Sequence, residues 1–111
     1  MNDWIDICAL NELPANAGLA ARVGGRQLAL FHLPKTEQKV FALANHDPKG
    51  GASVLSRGLL GDIGGELVVA SPLYKHHYRL RDGQCLEDEG VRVPTWQVKV
   101  EGGRVLVQIA S

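Results

Sequence analysis

Cysteine is scarce in this chain, with 2 among 111 residues, Cys8 and Cys85. One disulfide could in principle join them, but nothing else in the sequence suggests an oxidising compartment. Paired spacings such as Cys-x-x-Cys are absent, so Cys8, His32, His46 and Cys85 do not make a structural zinc motif. An excess of one charge is also missing: 12 basic residues balance 12 acidic ones. No overall field therefore draws the chain to nucleic acid or to a membrane surface, although a local basic patch stays open. No apolar run approaches the roughly 20 residues of a membrane span, and Met1-Asn2-Asp3-Trp4 lacks the basic and apolar regions of a secretory signal. The expectation is a soluble cytoplasmic protein. No segment reads as a helix longer than two turns.

What the sequence does contain is glycine, 13 residues with 5 prolines, set in a chain that is 45% apolar. That punctuation favours short strands and turns, and the length predicts one domain over residues 1–111 with a single core.

Trp4 to Cys8 alternates and predicts an opening strand, which Asn11-Glu12-Leu13-Pro14 breaks. Leu19 to Val23 and Gln27 to His32 flank Gly24-Gly25-Arg26 as a β-hairpin, because glycine accepts the positive φ of a tight turn. Val40 to Ala44 predicts a buried strand. A polar, glycine-rich stretch from Asn45 to Gly65 follows, too long for an ordinary turn and hence the place where a site would be built. Leu67 to Ala70 resumes as a strand. Tyr78 to Arg81 and Gln84 to Leu86 predict a hairpin around Asp82-Gly83 of type I′, and Glu87-Asp88-Glu89-Gly90 an exposed connection. The last hairpin runs from Trp96 through Glu101-Gly102-Gly103 to Ile109. Eight or nine short strands indicate an all-β, antiparallel sandwich or barrel-like domain.

Several features that suggest chemistry have plainer explanations. Gly58, Gly61, Gly64 and Gly65 match neither a dinucleotide fingerprint nor a phosphate-binding loop and suit turns better. No serine or cysteine sits in a nucleophile-elbow sequence. Asp62, Glu66 and the run Glu87 to Glu89 suit solvated loops rather than an acid/base pair. Lys75, His76, His77, Arg79 and Arg81 form a basic, aromatic-containing cluster, either a solvated edge or a contact for an acidic partner. In an alternating strand His76 and His77 face opposite ways, which makes them poor joint metal ligands.

The run Ser71-Pro72-Leu73-Tyr74-Lys75 to Leu80 and Gly83 has the frame Cys-Pro-x-His-Gly-x-x-Phe-x-Leu-x-x-Gly of a Rieske cluster loop. Together with Asp47-Pro48-Lys49, Gly51-Ala52 and Val54-Leu55-Ser56-Arg57-Gly58, it resembles the Rieske-like small subunit of the assimilatory NAD(P)H-dependent nitrite reductase over essentially the whole chain. The resemblance implies a small antiparallel Rieske-like sandwich with two cluster-type loops. In a true Rieske protein the first loop supplies Cys-x-His and the second Cys-x-x-His. Here Asp47-Pro48-Lys49 aligns best with the first loop, and Ala44-Asn45-His46 is an alternative frame. Neither contains a cysteine.

Asp47, Lys49, Ser71 and Tyr74 thus stand at vestigial ligand positions, and the expectation is no metal and no iron-sulfur cluster on this chain. Tyr74 is expected to fill space that the cluster would occupy, with Ser71 or a backbone group as partner for its hydroxyl. No catalytic residue is expected. The resemblance further implies a partner, the large subunit, carrying FAD, siroheme and an iron-sulfur cluster and reducing nitrite to ammonium. Arg57, Lys75, His76, His77 and Arg79 are the candidate contacts. The small chain would serve complex stability, subunit orientation or electron flow. Two other readings are a Rieske-type ferredoxin serving an oxygenase and a free-standing interaction module.

Overall fold

A computed structural model describes residues 2–73 and 75–110. Among them, twelve strands pair antiparallel and no long helix occurs. The central sheet has the order β10-β4-β3-β2, built from β2 (Ala17–Val23), β3 (Arg26–His32), β4 (Val40–Ala44) and β10 (Thr95–Trp96). A second sheet pairs β1 (Asn2–Ala9), β12 (Arg104–Ala110) and β11 (Val98–Glu101) in that order. A third has β8 (Glu66–Ala70) between β7 (Leu59–Ile63) and β9 (His77–Arg79). The short pair β5 (His46–Asp47) and β6 (Ala52–Ser53) holds the first loop.

The continuous apolar runs of β3 and β4 are explained by burial on both faces of the central sheet. Leu28, Leu30, Val40 and Ala42 face Val105 and Val107 in one cluster. Ala29, Phe31, Phe41 and Leu43 face Leu55, Val69, Tyr78 and Leu80 in another. The expected single core is therefore two, one on each side of the central sheet. The two cysteines are free and fall on opposite sides, Cys8 against the first cluster and Cys85 within the second, so no bridge joins them.

Gly24-Gly25, Gly64-Gly65 and Gly102-Gly103 all have positive φ and close two-residue hairpins, as type I′ turns require. Asp82-Gly83 differs from its expected type I′ form, because only Gly83 has positive φ (76°). The Gly83 amide donates to the Arg79 carbonyl at 2.7 Å, and the Asp82 carboxylate accepts from the Gln84 amide at 3.1 Å. That side-chain turn replaces the hairpin ladder, leaving single bridges at Tyr78 with Cys85 and at Gln84 with Arg92. The opening strand also departs from simple alternation: a register shift between Asp6 and Cys8 brings both Ile7 and Cys8 onto the apolar side.

The long stretch from Asn45 to Gly65 has internal structure, including β7, an edge strand whose exposure hid its pattern. Its anchor is Asn45, buried, whose amide nitrogen donates to Gln27 Oε1 at 2.7 Å and whose Oδ1 accepts from the Ser56 amide at 2.7 Å. These bonds fix the 3-10 turn Leu55–Arg57, which drives Leu55 fully into the core.

Candidate functional site

Two loops meet at one end of the molecule, one between β5 and β6 and one between β8 and β9. In the first, the Asp47 carbonyl accepts from the Gly51 amide at 2.7 Å, and Asp47 Oδ1 accepts from the Lys49 amide at 3.0 Å. In the second, the Ser71 amide donates to the His76 carbonyl at 2.8 Å and the Lys75 amide donates to the Ser71 carbonyl at 3.0 Å. Each loop thus closes on its own first residue.

Those first residues also bind each other. The Ser71 hydroxyl donates to Asp47 Oδ2 at 2.5 Å, and the Tyr78 hydroxyl donates to Asp47 Oδ1 at 2.7 Å. Asp47, Ser71 and Tyr78 are all buried, at 0, 1 and 0% exposure, so this network sits beyond the reach of solvent. Burial works against the Asp47 charge, but donation by Ser71, Tyr78 and the Gly50 and Lys49 amides outweighs it and holds the carboxyl below its usual range. The same burial, followed by the neighbouring Asp47 carboxylate, pushes the Tyr78 phenol up. Asp47 is consequently an ionised acceptor and a weak base.

The loops fit closely. A Cβ on Gly50 would lie 2.6 Å from Leu73 Cδ1 and 2.8 Å from Asp47 Oδ2, so only glycine admits this approach without a shift. Lys75 has φ 59°, a left-handed conformation that costs a side-chain-bearing residue on the order of 1 kcal/mol. It stands where the Rieske frame has glycine, the residue that takes this conformation at least cost.

The other candidates are less concentrated. Lys49 contributes its amide to Asp47, while its ammonium reaches outward to Asp88 at 3.0 Å. His77 Nδ1 lies 2.6 Å from Glu87 Oε2, and Arg79 binds the Asp82 carboxylate with two nitrogens, at 3.0 and 2.5 Å. The acidic connection stays largely exposed, while Glu87 and Asp88 pair with His77 and Lys49, because its fold-back lays it along β9. His76 is half-buried. Arg57 and Lys75 are exposed. Tyr74, expected to fill the cluster's space, lies outside the described residues.

Tyr78, at the Phe position of the Rieske frame, is legible in the sequence only as the start of a hairpin strand, and its bond to Asp47 is not. The available signal was paired: a hydroxyl on that aromatic together with a carboxylate at Asp47. His46 in the alternative frame is exposed, whereas Asp47 is buried against Ser71. We expect Tyr78→Phe to lower stability by about 1 to 2 kcal/mol in urea unfolding, since Asp47 loses one donor while the ring stays packed. In a double-mutant cycle with Asp47→Asn the two losses should not add.

A Rieske cluster takes two thiolates and two imidazoles. The buried groups that meet here are a carboxylate, a serine hydroxyl and a phenol, and they do not fit that cluster. Cys85 is buried near Tyr78, with its sulfur 3.7 Å from Glu87 Oε1, and gives a single thiol. Among the described residues no group of three or more His, Cys, Asp or Glu side chains is arranged to hold a metal ion. No helix among them is long and apolar enough to cross a membrane.

Residues 3–108 match the family described as the Rieske-like [2Fe-2S] domain. The chain is 45% identical to the nitrite reductase (NADH) small subunit of Salmonella typhimurium, covering 95% of this chain and 96% of that protein. It is 51% identical to part of the nitrite reductase [NAD(P)H] large subunit of Klebsiella oxytoca, covering 94% of this chain but only 11% of that longer protein. Its fold superposes on the solved structure of the Escherichia coli protein NirD with a TM-score of 0.90, at 41% identity and full coverage of both chains. The ferredoxin component of a naphthalene dioxygenase system from Pseudomonas aeruginosa matches at a lower 32% over 96% of each chain. Sequence and fold agree, and the chain belongs to the Rieske-like domain family and, within it, to the small subunits of NADH-dependent nitrite reductase.

Proposed function

We propose that this chain works without an iron-sulfur cluster of its own and docks on the large subunit of a cytoplasmic nitrite reductase. That large subunit carries FAD, siroheme and an iron-sulfur cluster and reduces nitrite to ammonium with NAD(P)H. The observation that carries the reading is the buried network of Asp47, Ser71 and Tyr78, in which hydrogen bonds join the two loops that a cluster joins elsewhere. The loop end is thereby kept in shape without metal. Support for the partner comes from the Klebsiella relative, a large subunit that contains a counterpart of this domain within one chain. A cytoplasmic setting follows from the need for NAD(P)H.

Two measurements test this reading. Purified chain incubated anaerobically with ferrous iron and sulfide should retain no stoichiometric iron and show no thiolate-to-iron charge-transfer band. A brown, iron-loaded protein would overturn the cluster-free role and favour the ferredoxin reading. The large subunit, assayed for NADH-dependent nitrite reduction with and without this chain, should lose activity or stability in its absence. Full activity and stability alone would remove the supporting role.

A further inference from the structure

Resting on the docking role just proposed, we infer that the contact is made by a groove beside the second loop, and that it takes an apolar, acid-flanked segment of the large subunit. The groove has a volume of about 250 Å³ and is lined by Arg57, Leu59, Ala70, Ser71, Pro72 and Lys75. Leu59 is 79% exposed, the most exposed large apolar side chain among the described residues, and Leu73 in the adjoining loop is 43% exposed. A leucine this exposed on the lining of a concave surface is the form of an interaction site rather than of ordinary surface scatter.

Charge fixes the chemistry of the occupant. Among the neighbouring basic side chains, Lys49, His77 and Arg79 each have an internal carboxylate, at Asp88, Glu87 and Asp82 respectively, and Arg81 pairs with Glu66 at the end of β8 away from the second loop. Arg57 and Lys75, on the rim of the groove, have no ion-pair partner among the described residues. Two unspent cations flanking an apolar floor complement a segment with an apolar side chain between carboxylates. The left-handed Lys75 adds a second indication. Backbone strain is retained at a position that glycine would relieve, and what the strained residue supplies is a cation at the groove.

The test is a titration of the purified large subunit against the full chain, immobilised, at low and moderate salt. Wild-type chain should bind, more tightly at low salt. Leu59→Asp should weaken binding by about 50-fold and Lys75→Glu by about 10-fold, the second change also flattening the salt dependence. Lys75→Gly keeps the backbone conformation, so its melting temperature should hold or rise while its affinity falls. Ile63→Asp is the control, on the same face of β7 and about 14 Å along the strand at 3.4 Å per residue; it should bind as wild type. Unchanged affinity in the Leu59 and Lys75 variants, with wild type binding, overturns the groove and leaves the docking role standing. Equal loss in Ile63→Asp also overturns it, by assigning the contact to the whole β7 edge. No binding by wild type overturns the docking role itself.

Discussion

Asp47→Asn should lower the stability of the folded chain by about 2 to 3 kcal/mol at neutral pH, because hydrogen bonds to a charged acceptor are worth roughly 1 kcal/mol more apiece than neutral ones. Asp47 accepts from the Ser71 and Tyr78 hydroxyls and from the Lys49 amide, and Gly50 adds a further backbone donor. An asparagine offers one carbonyl oxygen to donors that now share two carboxylate oxygens, and turns its own NH₂ toward the rest. The Ser71 hydroxyl can rotate to accept from that NH₂, which limits the loss. Asp47→Ala has no such remedy and should cost more, since it leaves two buried hydroxyls without their acceptor. Urea unfolding followed by tryptophan fluorescence measures both, and an asparagine variant as stable as wild type would mean that the carboxylate is not what holds the loops together.

The same carboxylate has a pH signature whose sign is fixed by the direction of its shift. Its folded-state pKa lies below the ordinary value of 3.8, so its ionisation stabilises the fold above the unfolded value and that contribution is lost as pH falls through the folded one. The difference in stability between wild type and Asp47→Asn should therefore be constant from about pH 7 to pH 5 and shrink below about pH 4. Taking the difference matters. Asp6, Glu66, Asp82, Glu87 and Asp88 are also held below their usual ranges by ion pairs or donors, and their acid losses are common to both proteins.

The loop frame was legible because its spacing is local: Ser71, Pro72, Leu80 and Gly83 fall within one short segment. The β2–β3 and β11–β12 hairpins were legible for the same reason, as their Gly-Gly turns lie between adjacent alternating runs. What was not legible depends on contacts between distant residues. Tyr78 finds Asp47 across 31 positions, and Lys49 finds Asp88 across 39. Read alone, the run Glu87 to Glu89 is a solvated loop; folded, it stays largely exposed yet supplies carboxylates to His77 of the basic cluster and to Lys49 of the first loop. The two-sided central sheet was hidden for a related reason. Four apolar residues in a row, Leu28 to Phe31, are compatible with one buried face or two until the strands on both sides are in place.

Gly83, the closing residue of the frame, is where one added methyl group should do the most damage. Its φ of 76° alone costs alanine on the order of 1 to 2 kcal/mol. A Cβ there would also run into the Val93 carbonyl oxygen, which is main chain and cannot rotate aside. That contact is held from both ends: the Gly83 amide donates to the Arg79 carbonyl at 2.7 Å, and the Gly83 carbonyl accepts from the Val93 amide at 2.9 Å. Relief therefore means breaking one of these bonds or moving Val93, which is 1% exposed within the same cluster as Tyr78 and Cys85. Overpacking of that kind adds about 1 to 3 kcal/mol, so Gly83→Ala should destabilise by about 2 to 5 kcal/mol in total. Gly102→Ala supplies the comparison, since it has a similar positive φ of 58° but open space for a Cβ, and should cost only the backbone part. If thermal melts showed the two variants equally affected, the closing glycine would be required for its backbone freedom alone. A clearly larger loss at Gly83 would show that the frame keeps glycine there because the chain returning through Val93 leaves room for nothing more, whether or not a cluster is bound at the loop it closes.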